Sequence, residues 1–323
     1  MKLWLDTDIG GDIDDALALL LAMACPEEIV GISTVFENAV ARAQIAKRLL
    51  QLGGKGEVPV YAGNGWPRKA KTVYGKAVNP NATPLTYCRE SFGDVVIEKD
   101  PAVEALKAAA EKADGKLTVV TMGALTNIAE LIEKYPQTAQ KIRCLCMMGG
   151  AVHKNLNEFN FTCDPEAADL VLTSPIPKKL ISLDVTFLCE MSAGQVQKLQ
   201  ECRSRAVRMV MTMFRKWGGK MILHDPLALA CAFSERFVGF GKGNLKVELE
   251  GSFSRGKCAD LTDFNWDQMP KDDLLVSETV KNEDFLEFYV RQILALDAAL
   301  CQAEESSGSK EWAAEPPQKV LDR

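Results

Sequence analysis

Residues 1–20 read MKLWLDTDIGGDIDDALALL. The apolar run MKLWL reads as a buried strand, and the segment from Asp14 onward reads as a helix. Gly10 and Gly11 allow a sharp turn between them. A strand that passes through a glycine turn into a helix is the first half of a βαβ unit, so this junction points to an α/β fold. Five aspartates, Asp6, Asp8, Asp12, Asp14 and Asp15, fall within ten positions of the junction. Carboxylates this close repel one another and raise one another's pKa unless a cation or strong hydrogen-bond donors offset them. Compensating positive charge is therefore the first thing to look for.

The rhythm of the opening repeats along the chain. IVGISTV (29–35) precedes NAVARAQIAKRLLQL (38–52), and VPVYAG follows at 58–63. LTVVTMG (117–123) precedes LTNIAELIEKY (125–135), and CLCMMGG (144–150) comes before DPEAADLVL (164–172). KLISLDV (179–185) precedes AGQVQKLQE (193–201). Such alternation predicts a mostly parallel central sheet with helices on both faces, a Rossmann-like open sheet. Ligands in such folds bind beyond the carboxyl ends of the strands. From about residue 240 the pattern loosens into the hairpin-like stretch 245–264 and a last amphipathic helix, NEDFLEFYVRQILALDAAL (282–300). One catalytic domain over 1–302 and a flexible polar tail over 303–323 are expected.

Composition narrows the partners. The 323 residues are 47% hydrophobic, enough for a substantial core, and the formal net charge is −6. With no long basic cluster there is no electrostatic footprint for nucleic acid or for an anionic membrane, so a small-molecule ligand is expected. No apolar run approaches membrane-spanning length. Ten cysteines lack paired metal-ligand spacing, and Cys144 and Cys146 alternate as strand positions do, so reduced core thiols are expected. The chain opens on a strand without a signal-peptide pattern, which makes the cytoplasm the expected location.

Read locally, the aspartates allow several roles. An EF-hand starting at Asp6 would place Leu17 where a bidentate Glu is required, and fails. Asp6 and Asp8 fit the Asp-x-Asp pair of a haloacid-dehalogenase-type phosphohydrolase, which leaves Asp14 and Asp15 without a role. Asp8 at the strand end and Asp15 in the helix's first turn suit a divalent cation, while Asp14 and Asp15 as plain helix-terminus residues suit the same local sequence equally.

Beyond the local motif, the strand leading to DTDIG and DDALAL, then STVFEN, VPVYAGN, TMGALTNIA, MMGGAVHKN, NEFNFTCDPEAA, SLDVT and HDPLALA, together resemble the calcium-dependent nucleoside hydrolase family, of inosine-uridine preferring type, over residues 2–300. The resemblance implies hydrolysis of a ribonucleoside to ribose and a free base. It implies a Ca2+ ion held by Asp8, Asp15, the carbonyl of Met122 and Asp225, an all-oxygen set suited to that ion. It implies Asp14, Asn38 and Asn160 on the ribose hydroxyls, Asn155 and Glu158 on the 5′-hydroxyl, Asp8 as the base toward water, and His224 as general acid or hydrogen-bond donor to the departing base. Assembly as a homodimer or homotetramer is also implied. His153 receives no role. Two features depart from the family pattern. Two extra residues separate Asp8 from Asp15, leaving Asp12 in the lengthened part, and residues 66–95 lack the His-Gly segment that many members place near the base. The phosphohydrolase and a non-catalytic ribose-binding relative are the alternatives.

Overall fold

A computed structural model describes residues 1–88, 92–262 and 273–307. Strand β1 (Lys2–Thr7) takes the opening apolar run, and helix α1 (Asp14–Ala24) follows the aspartate turn. The first half continues through β2 (Glu28–Thr34), α2 (Ala39–Leu52), β3 (Val60–Ala62), the short strands β4 (Thr72–Val73) and β5 (Lys76–Ala77), α3 (Ala102–Ala113), β6 (Leu117–Met122), α4 (Thr126–Lys134) and α5 (Pro136–Ala139). The second half carries β7 (Cys144–Met148), α6 (Phe159–Cys163), α7 (Pro165–Thr173), β8 (Lys178–Ile181), α8 (Leu183–Thr186), α9 (Ala193–Gln200), α10 (Arg205–Trp217) and α11 (His224–Phe233). It closes with β9 (Val238–Lys242), β10 (Leu245–Val247), β11 (Cys258–Asp260), β12 (Leu274–Val280) and α12 (Asn282–Ser307).

The main sheet runs β3-β2-β1-β6-β7-β8-β12-β9, and every neighbouring pair is parallel except β12 with β9. Both faces are covered, as the pleat shows. On β1, Leu3 and Leu5 join the core formed with α1, α10, α11 and α12, while Trp4 between them joins the core formed with α3, α4 and α7. On β7, Cys146 and Met148 go to the first core and Leu145 and Met147 to the second. This two-sided burial is why the strands read as continuous apolar runs rather than alternating ones.

The chain passes from β1 through β2 to β3 on one side, then returns to place β6 on the other side of β1. The order therefore reverses between β1 and β6, the switch point at which a parallel sheet opens a crevice beyond its strand ends. Thr7 of β1 and Met122 of β6 are register partners at that point.

Some expected bounds shift. β8 stops at Ile181, and the last three residues of the KLISLDV run join Thr186 in a helical turn, Leu183–Thr186. Helix α12 continues to Ser307, so the first five residues of the segment read as a tail are helical, and 308–323 lie outside the described residues. The hairpin-like stretch 245–264 yields antiparallel β10 and β11; its last two positions also lie outside the described residues.

Candidate active site

A cavity of about 620 Å³ sits over the switch point. Asp8 reaches it from the end of β1, Asp14 and Asp15 from the first turn of α1, Met122 from the end of β6, and His224 and Asp225 from the first turn of α11. The turn after Asp8 requires a positive φ of 104° at Gly10, and Gly123 lets β6 approach β1: a Cβ there would stand 3.1 Å from the Cβ of Asp8. Neither Asp14 nor Asp15 caps its helix; the cap position is Ile13, with no side-chain hydrogen bond. Asp225 likewise lies inside α11 rather than at its cap. Helix capping, the plain local explanation for these residues, is thus not what they do.

Candidate ligand oxygens of Asp14, Asp15 and Asp225 lie within 4.8 Å of one another, and all three side chains are buried. At an effective dielectric of about 20, each ionised pair at that distance repels by roughly 3.5 kcal/mol. Three such pairs rival the whole stability of a typical domain. Burial, followed by the charge of the neighbouring aspartates, pushes all three carboxyls well above the usual range, and burial raises Asp8 beside them. Thr7 donates its hydroxyl to Asp15, which offsets little. Arg42, 4% exposed, is the nearby cation: its charge lowers Asp8 and Asp15 without overcoming their burial, its Nη2 lies 4.0 Å from the Glu37 carboxylate, and its other donors face the main chain. Its Nε donates to the Phe36 carbonyl at 2.9 Å and its Nη1 to the carbonyls of Asp8 and Ile9. A cluster of buried oxygen ligands without nitrogen or sulfur ligands, whose charge Arg42 and Thr7 offset only in part, fits a hard divalent cation. The three-residue grouping includes Asp14, which the resemblance assigns to sugar rather than to the ion; Asp8 stands against Asp15 at its edge.

Asp6 is fully buried behind the cavity and does not line it. Ser33 donates to its Oδ1 at 2.5 Å and the Asn127 amide donates to the same oxygen at 2.8 Å. A nucleophile must touch its substrate, so this placement removes the main support for the phosphohydrolase reading. Asp12 is exposed on the cavity rim.

Glu158 and Asn160 both face the cavity and are buried. Glu158 is the cap of α6, accepting backbone N–H bonds from Gly150 (2.9 Å), Asn160 (2.7 Å) and Phe161 (2.9 Å). Burial outweighs these bonds and pushes its carboxyl up to about 7. The Asn160 amide donates to the Met148 carbonyl at 3.1 Å, which fixes the side chain at the end of β7. A Glu158→Ala substitution should cost about 1–3 kcal/mol by leaving buried N–H groups unpaired, a loss that denaturant titration measures.

Two residues expected on the sugar are not brought to the cavity. Asn38 caps α2, its Oδ1 accepting from the Ala41 N–H at 3.1 Å, because the helix it begins needs that acceptor. Asn155 is exposed in the loop after β7, where Lys257 donates to its Oδ1. That bond ties the loop to the residue before β11 rather than to the cavity.

His224 lines the cavity with its Nδ1 2.7 Å from the Thr186 hydroxyl, and the edge of Phe187 packs against the ring at 5.3 Å. Burial lowers its pKa to about 4, so the imidazole is neutral near pH 7. His153 is exposed, its N–H donating to Asp184 at 3.1 Å.

Other cavity residues carried no individual reading in the sequence. Phe36 and Glu37 hold positive φ angles of 66° and 54°, conformations unusual for their types that cluster at functional sites. Their N–H groups donate to Asn64 and Gly65, each at 2.8 Å, which holds the bend. The β4–β5 hairpin brings Tyr74 over Phe159, the rings stacked at 6.2 Å, and Trp217 closes another part of the wall.

Residues 3–287 match the family model described as inosine-uridine preferring nucleoside hydrolase. The chain is 30% identical over 274 residues to uridine nucleosidase 1 of Arabidopsis thaliana, covering 77% of this chain and 79% of that protein. It is 30% identical over 279 residues to a non-specific ribonucleoside hydrolase of Escherichia coli, covering 79% and 86%. The structure of a purine-preferring ribonucleoside hydrolase from Gardnerella vaginalis is similar with a TM-score of 0.78 at 25% identity, over 93% of this chain and 100% of that one.

Proposed function

The chain belongs to the inosine-uridine preferring nucleoside hydrolase family, enzymes that hydrolyse the N-glycosidic bond of ribonucleosides, and from that membership we propose how its own residues perform the reaction. The observation that carries the proposal is the buried carboxylate cluster at the switch point, whose pKa values stay raised despite Arg42 and Thr7. We assign it a calcium ion, held by Asp8, Asp15, Asp225 and the carbonyl of Met122, with Asp14 beside them. Bound there, the ion would supply positive charge that eases ionisation of a water and favours the ribose diol.

The remaining chemistry belongs to the side chains. Cleavage builds carbocation character on the sugar carbon and negative charge on the departing base. Asp8, at the end of β1, takes the proton from the attacking water. Asp14 and Asn160 accept and donate to the ribose hydroxyls, and Glu158 holds the 5′ end, fixing the sugar against that water. Support for these roles is their shared cavity; Asn38 and Asn155, each engaged elsewhere, are left out.

His224 serves the base. We assign the tautomer in which Nδ1 accepts from the Thr186 hydroxyl 2.7 Å away and the ring proton sits on Nε2, from which a neutral imidazole donates a hydrogen bond to the leaving base. His224→Ala should lower kcat about 10²-fold for a natural ribonucleoside and only a few-fold for a riboside with a 4-nitrophenolate leaving group, which needs no proton. Equal losses on both would assign the residue to the sugar or the fold.

Base preference is not fixed by membership, since the relatives include uridine-named, non-specific and purine-preferring enzymes. All ten cysteines are free, which supports a reducing, cytoplasmic setting, and among the described residues no helix is long and apolar enough to cross a membrane. A dimer or tetramer is the assembly that the family resemblance supports. Incubation with a ribonucleoside panel should release free base and ribose in equal amounts, with no ribose phosphate when inorganic phosphate is present; phosphate-dependent cleavage would refute hydrolysis.

A further inference from the structure

Glu37 lines the cavity without a part in the chemistry described above, yet the fold holds it there at a conformational cost. It follows β2 in a bend where Phe36 and Glu37 both take left-handed φ angles, 66° and 54°, which residues with side chains adopt only when their surroundings impose it. The bend is pinned throughout its main chain. The Val35 N–H donates to the Thr7 carbonyl at 3.1 Å, and the Phe36 and Glu37 N–H groups donate to Asn64 and Gly65, each at 2.8 Å. The Glu37 carbonyl accepts from Ala39 at 2.9 Å, and a Cβ at Gly65 would clash with that carbonyl, so the close approach needs glycine. Asn38, the next residue, is committed to capping α2, whereas the Glu37 side chain is given to the cavity.

Two contacts put this bend at the sugar end of the cavity. Arg42 ties it to the end of β1: Nε donates to the Phe36 carbonyl at 2.9 Å, and Nη1 donates to the Asp8 carbonyl and, at 3.2 Å, to that of Ile9. The same guanidinium presents Nη2 to the Glu37 carboxylate at 4.0 Å. On the other side Phe36 meets Phe159 edge-on at 5.8 Å, and Phe159 lies in the chain between Glu158 and Asn160. The bend that carries Glu37 thus joins Asp8 to the turn that carries the other two sugar residues, while His224 and Trp217 enter from α11 and α10.

We infer that Glu37 is a sugar-binding residue whose carboxylate accepts a hydrogen bond from one ribose hydroxyl, with Arg42 holding it in position. The inference rests on the ribonucleoside reading of the cavity. The plain alternative is a solvated rim acid in a weak ion pair. Against it, the Glu37 side chain is 28% exposed, its partner guanidinium is buried, and the strained backbone aims the side chain inward. A carboxylate offers acceptors only, and each ribose hydroxyl has a proton to donate.

The test is calorimetric binding of methyl β-D-ribofuranoside, a glycoside with a poor leaving group, and of its 2-, 3- and 5-deoxy analogues to the calcium-loaded chain. Glu37→Ala should weaken binding of the parent glycoside about tenfold. On one deoxy analogue, the one lacking the partner hydroxyl, the same substitution should cost about twofold or less. Equal losses on all the ligands, no loss on the parent, or no binding by the native chain overturns the inference. If Glu37→Ala fails to fold, Glu37→Gln keeps the shape with a weaker acceptor and should show a smaller loss confined to one hydroxyl; a uniform loss there overturns the inference equally. Calcium affinity of the sugar-free chain should stay within about tenfold in either variant, the effect of removing one neighbouring charge. Abolished calcium binding would put Glu37 in the ion's shell and also overturn the inference. Sugar binding with the expected pattern in a chain that releases no ribose from any nucleoside would contradict the hydrolase reading and leave the role of Glu37 standing.

Discussion

Replacing Asp8 with alanine is expected to lower kcat/KM for ribonucleoside hydrolysis roughly 10⁴-fold, while Asp12→Ala keeps activity within about fivefold of the native chain. The two residues lie four positions apart in one loop, and both touch the cavity. They differ in environment. Asp8 is 8% exposed and stands against Asp15, while Asp12 is exposed on the rim, outside the Asp14–Asp15–Asp225 grouping although near enough to raise Asp14. Steady-state kinetics on the two variants measures the difference. Comparable losses would mean that the lengthened loop, not the end of β1, carries the proton transfer.

Removal of divalent cations is expected to abolish turnover and to lower thermal stability, with calcium restoring both. An ion at 100 times its dissociation constant adds about 2.7 kcal/mol to the folded state, equivalent to a rise in Tm of roughly 5 °C for a chain of this size. The effect has a defined pH sense. In the ion-free protein Asp14, Asp15 and Asp225 have folded pKa values raised above their unfolded ones, so the folded state binds more protons and stability falls as pH rises beyond the ordinary carboxylate range. Calcium must displace those protons, so its stabilising effect should be larger at pH 7.5 than at pH 5. Differential scanning calorimetry with and without chelator reads this directly. A calcium shift that is equal at the two pH values, or larger at pH 5, would place the ion away from the cluster.

The strand, glycine turn and helix of residues 1–20 made Asp8, Asp14 and Asp15 legible in the sequence as a carboxylate cluster beyond a strand end, whereas Met122, Glu158, Asn160, His224 and Asp225 were legible only through the family resemblance of their segments; the fold brings all of them to one cavity. What the sequence left open depends on choices that only three-dimensional packing makes. Asn38 follows a strand as a ligand would, yet the free N–H groups of α2 claim its side chain. Asn155 lies in a loop whose path is set by β11, a strand more than a hundred residues later. Arg42 had no individual reading in the sequence, because its burial against three backbone carbonyls arises only where α2 packs beside the loop after β1. The cavity wall that includes Tyr74 and Trp217 is assembled from the β4–β5 hairpin and the end of α10, whose apposition no local pattern encodes.

The most direct measurement is the release of free ribose from a panel of ribonucleosides by the metal-stripped chain as calcium is titrated back. Hydrolysis of at least one nucleoside that is absent under chelation and recovers with calcium, in the native chain and not in Asp8→Ala, is the predicted result. Ribose release that persists in full without any divalent cation, or no release from any nucleoside while calcium still binds, would contradict it.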